Sequence, residues 1–311
     1  DGTQTANVTA TVPQYTPAAS QVQVQDNEGR AITLTMPASY VENYGSNFIQ
    51  VSLSGKTLVP VVVSLSSNDT SEFTVVSSVT IPAGSSSVNA SAVVVDDTLL
   101  DGDQTVTVTA SAAGFTGPSR TVIIRDNDPA TGVWSTIGSP QLAGDYIAAT
   151  LTFKTIEDKV AEGYSATATI TATNDAGTAT LRNAPVNLSV YNGVADASSY
   201  VSILTAGTNT RLSAKTPALA AIQSNAFTVQ NNTLAKFAIS PLASTQIIGS
   251  PETVSITAQD VYGNTVSNYT NTAALSAGVT PIITGTGTSS ETNFPINAAT
   301  YKLSRTQSAY A

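Results

Sequence analysis

Residues 1–28 and residues 101–128 are two diverged copies of one segment, set 100 positions apart. Aligned without gaps, DGTQTANVTATVPQYTPAASQVQVQDNE and DGDQTVTVTASAAGFTGPSRTVIIRDND agree at 11 of 28 positions, among them Asp1/Asp101, Gly2/Gly102, Val8/Val108, Val22/Val122, Asp26/Asp126 and Asn27/Asn127. A fixed period of that length is the signature of modules in tandem. The chain therefore reads as the last part of one module (1–28), a complete module (29–128) and different modules after it. Twenty-eight residues that supply two strands cannot bury a core alone, so 1–28 needs partner strands from elsewhere.

The complete module reads as short strands separated by turns. In VNASAVVV, Val88, Ala90, Ala92 and Val94 fall on one face and Asn89 and Ser91 on the other. In QTVTVTA, Val106, Val108 and Ala110 oppose Thr105, Thr107 and Thr109. Alternation with period two, repeated at short spacing, predicts an all-β sandwich with one wet face per sheet. Pro82-Ala83-Gly84, Asp101-Gly102 and Gly117-Pro118 mark turns between strands.

Beyond Asp128 and Pro129 the pattern changes. Residues 152–190 match 238–276 at an offset of 86, through Gly163/Gly249, Ile170/Ile256, Thr171/Thr257, Ala172/Ala258 and Gly177/Gly263. Two further strand-rich modules are expected, at 129–232 and 233–290, with 291–311 unassigned. The stretch 218–226, ALAAIQSNA, reads as a strand and turn. The whole is an expected tandem array of immunoglobulin-like β-sandwiches.

Composition removes several classes of function. Net charge is −9 and the isoelectric point near 4.3, whereas nucleic-acid binding requires a basic footprint. The chain has no Cys, which excludes thiolate metal sites, and no His. Without imidazole there is no Ser-His-Asp or Cys-His pair and no zincin-type site. No run of 18 apolar residues is present, so direct insertion into a membrane is not expected.

Nine of the 21 acidic residues lie between 42 and 128: Glu42, Asp69, Glu72, Asp96, Asp97, Asp101, Asp103, Asp126 and Asp128. The strand that ends at Asp96 and Asp97 is followed by two reversals, and the last strand ends at Asp126. Asp96, Asp97, Asp101, Asp126 and Asp128 should therefore converge on one end of the sandwich. Two carboxylates about 5 Å apart repel by roughly 3 kcal/mol at an effective dielectric near 20, against a domain stability of about 5–15 kcal/mol. A hard divalent cation relieves this, and Ca²⁺, with its flexible shell of oxygen ligands, suits the set better than Mg²⁺. An isolated Asp in such a chain is otherwise a turn former.

The segment SVTIPAGSSSVNASAVVVDDTLLDGDQTVTVTAS…TVIIRDND resembles a Calx-beta domain, the calcium-binding sandwich of sodium/calcium exchangers, an integrin beta subunit and many bacterial surface proteins. The resemblance covers about 30–128 and the partial copy at 1–28. It implies that Glu42 is the early glutamate ligand, Asp96 and Asp97 the double aspartate, Asp101 the following acid, and Asp126 and Asp128 the terminal pair. One further family aspartate has no clean counterpart; either Asp69 or Glu72 could fill it. In 1–28, Asp1, Asp26 and Glu28 stand in equivalent places. The modules after 129 resemble bacterial immunoglobulin-like domains through IIGSPETVSITAQDVYGNTVSNYT, in which Asp260, like Asn174 and Asp175, reads as a turn former and not a ligand.

These features lead to a non-enzymatic reading: a calcium-stiffened segment of a long extracellular structural or adhesive bacterial surface protein, an adhesin, a surface layer or a filament. Its expected partners are calcium, neighbouring modules or subunits of the same protein, and cell-surface glycans or proteins. The alternative is a carbohydrate- or partner-binding accessory region of a secreted enzyme. Six N-x-S/T sequons, at Asn7, Asn68, Asn89, Asn187, Asn231 and Asn268, leave glycosylation open. Lys154 and Glu162 are where an isopeptide staple would be sought, and Trp134 and Tyr146 read as packing between modules.

Overall fold

In the computed structural model of the chain, the described residues are 3–25, 29–242, 244, 252–273, 294–295 and 301–303, and every regular element among them is a β-strand. The all-β expectation holds. The chain divides into two compact units, one of Asp1–Thr131, Phe153–Ser165 and Tyr191–Gly193, the other of Gly132–Thr152, Ala166–Val190 and Val194–Ala311.

The first unit contains β1 (Gln4–Ala10), β2 (Ala18–Val24), β3 (Ile32–Thr35), β4 (Ser39–Val41), β5 (Ser46–Leu53), β6 (Val61–Ser67), β7 (Phe73–Val75), β8 (Ser78–Ile81), β9 (Ser87–Val94), β10 (Gln104–Ser111) and β11 (Ser119–Arg125). β3 to β11 form two sheets, of order β3-β5-β9-β7 and β4-β11-β10-β6-β8. The alternation in β9 and β10 translates directly into burial. Ala90, Ala92 and Val94 point inward from one sheet, and Val106, Val108 and Ala110 from the other. They meet Leu34, Ile49, Val51, Val63, Phe73, Ile81, Val122 and Ile124 in one core. Each large side chain buried there contributes about 1.5–3 kcal/mol. β1 and β2 form a two-stranded sheet of their own, with every residue exposed.

The second unit holds most of a sheet of Thr131–Trp134, Thr150–Lys154 and Val194–Asp196, and all of a larger one built on the antiparallel pair Ala166–Asn174 and Gly207–Lys215. Leu151, Ile170, Leu188, Ile203 and Leu212 are buried. Trp134 is buried too, and its Nε1 donates to the Ile222 carbonyl at 3.0 Å. It belongs to the core of its own sandwich and not to packing between modules, because the indole finds both apolar cover and an acceptor there. Residues 222–223 are a strand, within the stretch read as strand and turn.

Leu234–Ile239 pairs with Ile256–Asp260, and Ile256, Ala258 and Val266 form a small core beside Tyr269. Phe294–Pro295 pairs with Thr272–Ala273, and Tyr301–Leu303 with Glu252–Val254. Residues 284–290 and the rest of 291–311 lie outside the described residues. Asn174 and Asp260, equivalent at the offset of 86, both cap a turn. Asn174 Oδ1 accepts the Ala176 amide and Asp260 Oδ1 accepts the Tyr262 amide, each at 2.9 Å. Gly177 and Gly263 follow three residues later with φ of 115° and 90°, a conformation that glycine adopts without strain.

Candidate metal centre

Five chain segments deliver carboxyl groups to one end of the first sandwich. β4 and β11 run parallel, with Tyr40 opposite Ile124 and Val41 opposite Arg125. The residues that follow, Glu42 and Asp126, therefore emerge side by side, and the Glu42 amide continues the ladder onto the Arg125 carbonyl at 3.0 Å. β10 is antiparallel to β11, so the loop that precedes it, Asp101–Asp103, arrives at the place where β11 ends. β9 leads into Asp96 and Asp97. Glu72 precedes β7, antiparallel to β9, and its carbonyl accepts the Val95 amide at 2.8 Å.

At the centre, Glu42, Asp126 and Asp128 each bring a carboxylate oxygen within 4.8 Å of the others. Glu42 and Asp126 are almost fully buried, as is Glu72. Glu42 Oε2, Glu72 Oε2 and Asp128 Oδ2 are buried oxygens without a hydrogen-bond partner. An unpartnered buried polar atom is costly, and two of the three, on Glu42 and Asp128, belong to the group whose carboxylate oxygens lie within 4.8 Å of one another.

The electrostatics agree with the geometry. Burial, then the charges of Asp126, Glu72 and Asp97, push the Glu42 carboxyl from 4.5 up to about 8, although the Asn127 amide pulls the other way. Burial and the charges of Asp126, Asp96, Asp97 and Asp101 push Asp128 up to about 6. Glu72 is raised by burial and by Asp101, Asp97 and Asp69. Asp126 is raised by burial, even though it accepts the backbone amides of Gly102 (3.2 Å) and Asp128 (2.6 Å). Burial and like charges act in the same direction here, and both oppose ionisation of these carboxyls.

The remaining predicted residues differ in how far they are committed elsewhere. Asp96 Oδ1 accepts Asn127 Nδ2 at 3.0 Å, and Asp97 Oδ1 accepts the Leu99 amide at 2.7 Å. Asp101, on the loop before β10, acts on the cluster through its charge. Asp69 is half-buried and turns its Oδ1 to the Ser71 amide and hydroxyl, which hold its carboxyl below the usual range. It reaches the cluster only as a neighbouring charge on Glu72. Asp1, Asp26 and Glu28 lie outside the described residues.

Sequence reasoning passed over three supports of this site. Asn127 is buried and ties Asp96 to the end of β11. Gly102, at φ 77°, turns the loop so that its amide faces Asp126. Both are identical in the two copies of the repeat, which was a usable signal. The third support is the segment 153–165. Lys159 Nζ pairs with Asp103 at 2.7 Å, Glu162 pairs with Arg125 at 2.8 Å, and a Cβ at Gly163 would sit 3.0 Å from Val41 Cγ1. Lys154 pairs with Asp158 at 2.7 Å, so Lys154 and Glu162 face different partners and not each other.

No family model matches the chain, and no curated protein matches it in sequence. Among solved structures, the chain is similar to CBD12 from CALX1.2, at 16% identity and a TM-score of 0.34, over 60% of this chain and 79% of that one. It is similar to the calcium binding domain CBD12 of CALX1.1, at 15% and 0.33, over 59% and 78%. Domains 4-9 of the surface layer protein SbsC match at 12% and 0.39, over 87% of this chain and 42% of that one.

Proposed function

We propose that the carboxyl cluster of the first sandwich is a calcium site, and that the chain is a non-catalytic segment of a long extracellular, calcium-stiffened structural or adhesive bacterial surface protein. The observation that carries the metal reading is the convergence of Glu42, Asp126 and Asp128, with buried oxygens of Glu42 and Asp128 left without partners. The donors are all carboxylate oxygens, hard ligands of the kind Ca²⁺ takes in sets of 6–8. Glu42, Asp126 and Asp128 would hold the ion, with Glu72, Asp96, Asp97 and Asp101 completing the shell and Asp69 adding charge from its edge. When bound, the cation neutralises the mutual repulsion of these groups.

The chain's own residues do the positioning. Parallel pairing of β4 and β11 sets Glu42 beside Asp126, Gly102 and Asp128 amides orient the Asp126 carboxylate, and Asn127 orients Asp96. A site assembled from five separate segments cross-links the loops of its sandwich when filled, which suits a module that bears load in a surface array. The surface-protein reading also draws on the acidic, His-free composition and the tandem sandwiches.

The test is calorimetry of the full chain after chelation, with Ca²⁺, Mg²⁺ or excess EDTA added back. Ca²⁺ at 100 times its Kd should stabilise the first unit by about 2.7 kcal/mol, Mg²⁺ should do less, and Asp126→Asn with Asp128→Asn should remove the response. A melting profile indifferent to EDTA and to Ca²⁺ would discard the calcium site.

A further inference from the structure

The hairpin β1–β2 repeats β10–β11 in backbone register as well as in sequence. Ala6 stands opposite Val22 as Val106 stands opposite Val122, Gln4 opposite Val24 as Gln104 opposite Ile124, and Val8 opposite Ser20 as Val108 opposite Arg120. Every pair in β1–β2 from Gln4↔Val24 to Thr9↔Ala19 has its counterpart 100 positions on. The surroundings of the two hairpins are opposite. Val108, Val122 and Ile124 are 0% exposed, whereas Val8, Val22 and Val24 are 62%, 51% and 56% exposed.

In the complete module this face is covered by known neighbours. β10 pairs with β6, β11 pairs with β4, and the opposite sheet β3-β5-β9-β7 packs over Val106, Val108, Val122 and Ile124. The same four positions in β1–β2 are Ala6, Val8, Val22 and Val24, an apolar stripe with the same alternation that is exposed throughout. A two-stranded hairpin with an exposed apolar face is marginal in water.

We infer that β1–β2 is the closing hairpin of a second sandwich of the same kind, and that its apolar face takes a seven-strand partner equivalent to β3–β9. The complete module supplies the complementary surface: a strand like β6 on the outer edge of β1, a strand like β4 running parallel to β2, and a facing sheet over the valines. The inference does not depend on calcium, only on the repeat, the register and the exposure.

The experiment is a full chain carrying a second copy of residues 29–100 fused ahead of residue 1, followed by hydrogen–deuterium exchange. The expected result is at least 100-fold slower exchange in 4–24 than in the unfused chain, with an added cooperative melting transition. Val8→Asp with Val22→Asp in the fused chain should return 4–24 to fast exchange. Because the fusion could fail to fold, a second variant replaces residues 104–124 by residues 4–24 within the complete module. The shared register predicts a folded module with a lower melting temperature. Fast exchange of 4–24 in a folded fusion, or an unfolded transplant, overturns the inference. Protection of 4–24 in the unfused chain that rises with protein concentration also overturns it, since a second copy would then be the occupant.

Discussion

The pH dependence of the metal-free chain is the sharpest consequence of the carboxyl cluster, and Glu42→Gln isolates it. The Glu42 carboxyl is 2% exposed and raised from 4.5 to about 8. The folded state therefore keeps a proton that the unfolded state releases, and stability falls as pH rises through that window. At about 1.4 kcal/mol per unit, the shift corresponds to roughly 5 kcal/mol lost between pH 4.5 and 8. That is a large part of a typical domain stability of about 5–15 kcal/mol, and at about 2–4 °C per kcal/mol for a unit of this size it amounts to a fall of about 10–20 °C. Calorimetry of the chelated chain at pH 5, 7 and 8.5 measures it, with hydrogen exchange of β10 assigning the transition to the first unit. Glu42→Gln should reduce the slope, since glutamine fills the same space without a charge to develop, and leave the part that Asp128, Glu72 and Asp126 contribute. With saturating Ca²⁺ the wild-type slope should reverse, because the ion binds the deprotonated site. A metal-free chain as stable at pH 8.5 as at pH 5, or a Glu42→Gln variant that keeps the full slope, would refute the reasoning.

Other perturbations have smaller or different signatures. Gly102→Ala places a Cβ at φ 77°, 3.3 Å from the Glu157 side chain, and should cost about 1–2 kcal/mol in a denaturant melt; an unchanged midpoint would show that the loop does not need this conformation. Asp260 is fully buried and accepts the amides of Asn232, Tyr262 and Asn264 and the Asn264 side chain, so Asp260→Ala should destabilise the second unit by about 3 kcal/mol or more through the stranded donors. Its carboxyl faces opposing influences, burial raising it and these hydrogen bonds lowering it, with a net depression. The stability it contributes is therefore present above its unfolded value of 3.8 and lost as pH falls below that, measurable as an acid-induced fall in wild type that Asp260→Asn lacks. Glu162→Gln breaks a half-exposed ion pair with Arg125 and should change stability by less than about 1 kcal/mol by chemical denaturation.

Much of the fold was legible because strand periodicity is a local property. Alternation in VNASAVVV and QTVTVTA assigned Ala90, Ala92, Val94, Val106, Val108 and Ala110 to a core face, and each is buried there. The repeat at offset 100 carried more, since two copies with the same alternation adopt the same pairing register. Turn chemistry was equally local: Asn174 and Asp260 each cap the amide two residues ahead. The acidic content and the missing imidazole bounded the chemistry before any contact was known.

What only the tertiary structure decided concerns partners. Periodicity says which face of a strand is buried and nothing about which strand lies beside it. The parallel pairing of β4 with β11 brings Glu42 to Asp126 across 84 positions of chain, and no local pattern marks it. The passage of residues 95–103 from one sheet to the other, which sets the Asp101 loop against the end of β11, is likewise visible only in space. Trp134 reads as a junction residue by position and becomes core because the Ile222 carbonyl meets its indole. The acids themselves separate on the same ground. Asp69 and Glu72 are three residues apart, yet one is satisfied by the Ser71 amide and hydroxyl and the other is buried with an unpartnered oxygen. Composition supplies carboxylates; burial and through-space charge determine which of them resist ionisation, and both depend on long-range packing.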